Sequence, residues 1–217
     1  MRVGALLAAA DASMWVGTNN GLVRVSAGDR PELYRTVPQT ARLPVREIVR
    51  GTDGQIWVAY DRGLLRICAA GSRAAPAAGC AQPQWIPLED RQGGVSALVV
   101  SADGTAWIGT GQGLLQFDGR GFRRYESPHG LTERLISALG EDRDGNLWLA
   151  SLSGITRLSQ RGFLTYDEHD GLPAHRVRAL YEDASGQVFA VGGRWIVSRF
   201  DGSRFVSARP RVPPDLP

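Results

Sequence analysis

Asp144-Gly145-Asn146-Leu147-Trp148-Leu149-Ala150-Ser151-Leu152-Ser153-Gly154-Ile155 reads as a turn, a strand, a second turn and the start of another strand. Asp-Gly signals a two-residue hairpin, because both central residues of that turn favour positive φ. Leu147, Trp148, Leu149 and Ala150 form an apolar run, which suits a strand covered on both faces. Gly154 then permits a second reversal. Working outward, the same stretch recurs, giving five copies in the chain.

Trp15, Trp57, Trp107, Trp148 and Phe189 are equivalent, at spacings of 42, 50, 41 and 41 residues. Twelve residues before each lies Val3, Val45, Val95, Ile136 or Val177, and three further on Leu6, Ile48, Leu98, Leu139 or Leu180. Asp11, Asp53, Asp103, Asp144 or Ser185 lies four residues before the aromatic, followed by Gly54, Gly104, Gly145 or Gly186, with Ala12 in the first copy. Gly17, Ala59, Gly109 and Ala150 follow the aromatic by two places, and Gly21, Gly63, Gly113 and Gly154 by six.

Side chains alternate along a strand, so the aromatic and the small residue two places on share a face. The space left beside the indole is expected to be filled by a neighbouring sheet. A repeat of about 40–45 residues with several short strands is the pattern of a β-propeller blade, which cannot bury its faces alone. The expected fold class is all-β: a β-propeller of five four-stranded antiparallel blades in one domain, residues 1–209. The blades fall at about 3–44, 45–94, 95–134, 135–176 and 177–209, with a Pro-rich linker at 210–217. In the first copy the strands are predicted at residues 3–8, 14–18, 22–25 and 33–36. In the third and fourth, the last strands are predicted at residues 122–125 and 163–166, sharing a Phe-x-x-Tyr pattern. The fifth copy is degenerate, with Trp195 in place of the turn glycine.

With 43% hydrophobic and 22% charged residues, the chain has the composition of a globular protein. Net charge is only +3, and all 25 basic residues are arginine. A GC-rich genome explains the arginine; a surface matched to carboxylates, phosphates or sugars is the alternative. The arginines are scattered rather than striped, so nucleic acid is not an expected partner. No apolar run reaches the length of a membrane span. Met1 and Arg2 lead directly into the first repeat, and the expectation is a segment of a longer array.

The second copy carries an insertion holding both cysteines, Cys68 and Cys80. They are either a disulfide of an oxidising compartment or two free thiols in a surface loop; the disulfide is preferred if the chain is exported. No metal site is expected, since four ligands are wanted and no histidine is near in sequence.

Label the strands of a blade a to d from the inside out. The a–b and c–d turns then share one end of the sheet, and the b–c turns and d–a links share the other. Asn19, Asn20, Asp61, Arg62 and Gln112 on b–c turns, with Arg134, His175 and Arg176 on links, form a candidate ligand-binding rim. Taken singly, each reads first as a solvated turn residue. Tyr166, Asp167, His169, Asp170 and His175 form a local titratable cluster without a metal-ligand spacing. No strained Gly-x-Ser-x-Gly turn, phosphate loop or dinucleotide fingerprint is present, so no catalytic residue and no cofactor are assigned. The pairs Glu141/Asp142 and Glu182/Asp183 read as turn residues on the opposite end, not as a glycosidase pair.

The pattern Asp-x-x-Gly-x-Leu-Trp-x-Gly-Thr-x-x-Gly-Leu-x-Arg, with a Phe-x-x-Tyr strand and a Gly-Leu-Pro link, resembles the two-component regulator propeller repeat. Asp142 to Trp148 and Glu182 to Phe189 carry its first half, and Trp15 to Arg24 its second. The resemblance implies the extracytoplasmic, periplasmic sensor region of a membrane-anchored receptor whose output is a histidine kinase or diguanylate cyclase. Such regions build seven-bladed propellers, so the five copies here are expected to be part of a larger ring. Expected partners are a small-molecule or oligosaccharide ligand, neighbouring blades or domains, and a second copy in the intact receptor. A polysaccharide lyase or hydrolase, using His175 with Asp170, and a protein-interaction scaffold are the alternatives.

Overall fold

The computed structural model describes residues 2–9, 12–26, 31–68, 82–88, 94–126, 131, 134–159, 162–172, 177–192 and 196–208. Five antiparallel sheets of four strands run in sequence order. The first holds β1 Val3–Ala8, β2 Met14–Thr18, β3 Gly21–Val25 and β4 Glu32–Leu33. The second holds β5 Val45–Arg50, β6 Ile56–Tyr60, β7 Gly63–Ile67 and β8 Gln84–Pro87. The third holds β9 Val95–Val100, β10 Ala106–Thr110, β11 Gly113–Phe117 and β12 Phe122–Tyr125. The fourth holds β13 Ala138–Glu141, β14 Leu147–Ala150, β15 Ile155–Ser159 and β16 Gly162–Tyr166. The fifth holds β17 Ala179–Glu182, β18 Val188–Val191, β19 Val197–Phe200 and β20 Phe205–Ala208. The chain divides into two compact units, Met1–Arg124 and Tyr125–Pro217. Trp195 lies outside the described residues.

The Asp-Gly pairs predict two positive-φ residues per turn, and here the structure differs. Only the glycine is left-handed, with φ of 79°, 86°, 75° and 87° at Gly54, Gly104, Gly145 and Gly186. Gly145 N donates to Asp142 O (2.9 Å), and the hairpin closes from Asp142 N to Asn146 O (3.0 Å). This is the three-residue loop that ends in a left-handed glycine. A side chain favours it: Asp142 Oδ1 accepts from the N–H groups of Asp144 (3.1 Å) and Asn146 (2.8 Å). The same carboxylate takes the indole N–H of Trp148 at 2.7 Å. Ser101 Oγ does so for Trp107 at 3.1 Å. Gly51 stands at that position in the second sheet, so Trp57 Nε1 is buried with no partner.

The predicted strand at residues 33–36 is displaced. β4 is Glu32–Leu33, pairing with Arg24 and Val23. Just beyond it Tyr34 N still donates to Leu22 O at 2.8 Å, and its ring lies edge-on to Trp15, centroids 5.2 Å apart. A 3-10 turn at Pro38–Thr40 follows.

Within each unit the core lies between successive sheets. In the first unit, one cluster joins Trp15 and Leu22 to Val45, Ile48, Val58 and Tyr60, so sheet one packs on sheet two. A second joins Trp57, Ala59 and Leu64 to Val95, Leu98, Ile108 and Phe117, so sheet two packs on sheet three. In the second unit, Trp148, Ala150 and Tyr166 meet Val188, Ala190, Phe200 and Phe205. The room beside the indole is taken as expected: a Cβ on Gly17 would stand 2.5 Å from Val45 Cγ1 of the next sheet. Trp57 and Trp148 are each 2% exposed. An arginine covers the other side of three indoles: Arg24 on Trp15 at 5.4 Å, Arg66 on Trp57 at 5.5 Å and Arg157 on Trp148 at 5.6 Å. These pairs sit directly opposite one another on strands b and c. Part of the arginine content is therefore structural, each such contact contributing about 0.5–2 kcal/mol.

Candidate functional site

The b–c turns of the first, third and fourth sheets are held by a hydroxyl at their first residue; Tyr60 stands at that position in the second. Thr18 Oγ1 donates to Gly21 O (2.7 Å) and accepts from Asn20 N (3.1 Å). Thr110 does the same for Gly113 O (2.8 Å) and Gln112 N (3.1 Å). Ser151 Oγ donates to Gly154 O at 3.0 Å. With the backbone fixed from inside, the residues between are left to face outward.

In the first unit the d–a links return to these turns. Arg42, left-handed at φ 65°, lies against Gly21, whose added Cβ would stand 3.4 Å from Arg42 N. Arg46, near the start of β5, donates from Nε (2.7 Å) and Nη2 (2.6 Å) to the two oxygens of Asp61. Gly94, before β9, lies against the same carboxylate. The opposite end carries the a–b turns: Arg50 donates to Ala8 O at 2.5 Å, and Thr52 Oγ1 to Ala102 O at 3.2 Å. The alternation of turn and link between the two ends is therefore present within this unit.

Individual candidates fare differently. Asn19 is committed to the fold, since its Oδ1 accepts from Arg2 N (3.0 Å) and its own N donates to Arg2 O (3.1 Å). Asp61 is engaged by Arg46, which raises the guanidinium pKa of Arg46 through that hydrogen bond. Asn20 and Arg62 are exposed on successive turns. Gln112 is half-buried on the third. Arg134 is exposed, in the second unit. His175 and Arg176 lie outside the described residues. Cys68 is disulfide-bonded, and Cys80 lies outside the described residues.

The titratable cluster of the second unit is a cap. Asp167 Oδ1 accepts from His169 N (2.7 Å) and pairs with His169 Nδ1 (3.0 Å), while Asp170 Oδ2 accepts from Asp167 N (3.0 Å). This capping box closes the 3-10 turn Glu168–Asp170. Those hydrogen bonds, first that from the His169 amide, hold the Asp167 carboxyl below its usual range. Among the described residues no group of three or more metal-ligating side chains occurs. Nor is any helix there long and apolar enough to cross a membrane.

Sequence reasoning missed Glu47. This half-buried β5 residue has an Oε2 that accepts from Leu98 N at 2.5 Å. Burial pushes its pKa up to about 7, against the opposing pull of that hydrogen bond. A signal for it existed: Ala5, Ala97, Ala138 and Ala179 fill its position in the other copies.

Consecutive four-stranded antiparallel sheets that share a core with a neighbour within each unit define an all-β protein of the propeller type. Within it, residues 130–153 match the family model of the two component regulator propeller. No curated protein matches the sequence. Among solved structures, the chain is similar to the extracellular domain assigned to a hybrid two-component system of B. thetaiotaomicron. That likeness has a TM-score of 0.74 at 20% identity, over 95% of this chain and 28% of that one. It is also similar to virginiamycin B lyase from Staphylococcus aureus, with a TM-score of 0.73 at 14% identity, over 97% of this chain and 71% of that one. A protein assigned as a gluconolactonase gives a TM-score of 0.63 at 12% identity, over 94% of this chain and 75% of that one. At these identities the likenesses concern the fold.

Proposed function

We infer that this chain is part of the extracytoplasmic sensing region of a signalling receptor, and that it binds a polar ligand of the oligosaccharide class without turning it over. The observation that carries this is the rim of the first unit. There Asn20 and Arg62 stand exposed on successive b–c turns, with the Arg46–Asp61 pair beside them. An amide and a guanidinium exposed on neighbouring turns, the first turn braced from inside by Thr18, suit a ligand with many hydroxyls. The match of residues 130–153 to a regulator repeat, and the likeness to a two-component extracellular domain, support a sensing role. A periplasmic location agrees with that neighbour and with a disulfide at Cys68. Further blades, further receptor domains and a second receptor copy are the partners this reading supplies. The ligand shifts signalling to the extent that it prefers one receptor arrangement over another.

Calorimetric titration of an oligosaccharide panel, with the wild type and with Asn20→Ala/Arg62→Ala, tests this reading. The double variant is expected to lose about tenfold or more in affinity. Equal affinity in both proteins would put the site elsewhere.

The likeness to virginiamycin B lyase keeps an enzyme in view as a second reading, taken here as a polysaccharide lyase or hydrolase. It would use His175 with Asp170, yet Asp170 is spent in the capping box. Turnover of a polysaccharide that disappears in His175→Ala would promote it.

A further inference from the structure

Each inner strand of the first unit has a one-residue irregularity at its rim end, beside Gly4, Arg46 and Ser96. Such bulges re-aim side chains. In the second sheet alone the two residues at this point are both charged: Arg46 turns to its own b–c turn, and Glu47 crosses to the next sheet. The atom it meets, Leu98 N, belongs to β9, the inner strand of sheet three. That N–H lies on an edge no fifth strand pairs, since β9 ends its sheet.

We propose that Glu47 is a proton-operated latch on the seam between the inner strands of the second and third sheets. It would tune the rim above it to the acidity of its surroundings, and so rests on the sensor reading. The strands packed around β5 offer it no counter-charge. β1, β2 and β9 carry no ionisable side chain, and β6 carries only Tyr60, which faces the core between sheets one and two. On β5 itself, Arg46 is held by Asp61 and Arg50 by Ala8 O. The ionised carboxylate therefore has one amide to offset the loss of water. At this half-buried seam the neutral acid is favoured, and the anion favours a seam opened further to solvent.

The sign follows from linkage. The folded pKa, about 7, lies above the ordinary 4.5, so folding takes up a proton. This stabilisation is complete below pH 4.5 and lost as pH rises through about 7. Within that window the unfolding equilibrium shifts by up to about tenfold per pH unit.

The test compares urea unfolding of the wild type and Glu47→Gln across the window, with amide exchange at Leu98 corrected for its intrinsic pH dependence. The wild type is expected to lose stability relative to Glu47→Gln as pH rises, and to lose protection at Leu98 above about pH 7. Parallel pH profiles, or equal protection of Leu98, would overturn the latch. Should the glutamine variant fail to fold, Glu47→Ala installs the residue found in the other four copies and is read the same way. Neither readout uses a ligand, so failure here is distinct from failure of the oligosaccharide titration.

Discussion

Ala12 occupies the position that glycine holds in the other four a–b turns, and its φ is 62°. A left-handed alanine costs about 1 kcal/mol, offset in part by the lower chain entropy it gives the unfolded state. Ala12→Gly is accordingly expected to leave stability unchanged or raise it by up to about 1 kcal/mol, read from the urea midpoint. A clear loss would mean that the methyl group packs usefully. Asp142 is the opposite case. Its carboxylate takes the Trp148 indole and the Asp144 and Asn146 amides. Asp142→Ala leaves these donors with weaker partners and should cost about 1–3 kcal/mol by denaturant unfolding. The tryptophans, the small residue two places on and the valine twelve places before were legible because each serves a local period. Glu47 was not, because its meaning depends on Leu98 N, brought near only when two sheets pack. An alanine at that position in four copies was the trace of it.

Among the elements, most strands lie where the repeat put them. The turns differed because a side-chain acceptor selected a three-residue loop over the two-residue one that Asp-Gly suggests. The rim was legible as a parity of turns and links, but not which residues it leaves available. Asn19 looked as open as Asn20, and its pair of bonds with Arg2 separates them. Gly154 is the element-level counterpart of Gly17. A Cβ there would collide with Tyr166 O, so the close approach of β16 to the turn depends on it. Gly154→Val should loosen β16 and expose amides in the β15–β16 ladder to exchange; unchanged protection there would contradict this. In the second sheet, Cys68 directly follows strand β7, and its proposed mate is Cys80. Mass spectrometry of unreduced peptides should find the two joined within one chain. Reduction would then remove up to about 3 kcal/mol.

At the scale of the molecule, opposed ionisations set the pH response. Asp201 is pulled down to about 2, chiefly by the amides of Arg204 and Ser203, and Asp167 and Asp183 shift the same way. Folded values below the unfolded ones give stability that is present above the ordinary carboxylate range and lost as pH falls through about 2. Glu47 acts in the other direction up to about 7. The unfolding midpoint should therefore rise with pH on the acid side and fall again towards neutrality, and a monotonic curve would contradict the opposition. Within each unit neighbouring sheets share a core built on an aromatic, as Trp148 packs with Phe200 and Phe205. The direct measurement is equilibrium unfolding of Trp148→Ala against wild type. A loss of about 3–5 kcal/mol is expected. An unchanged midpoint would contradict the account.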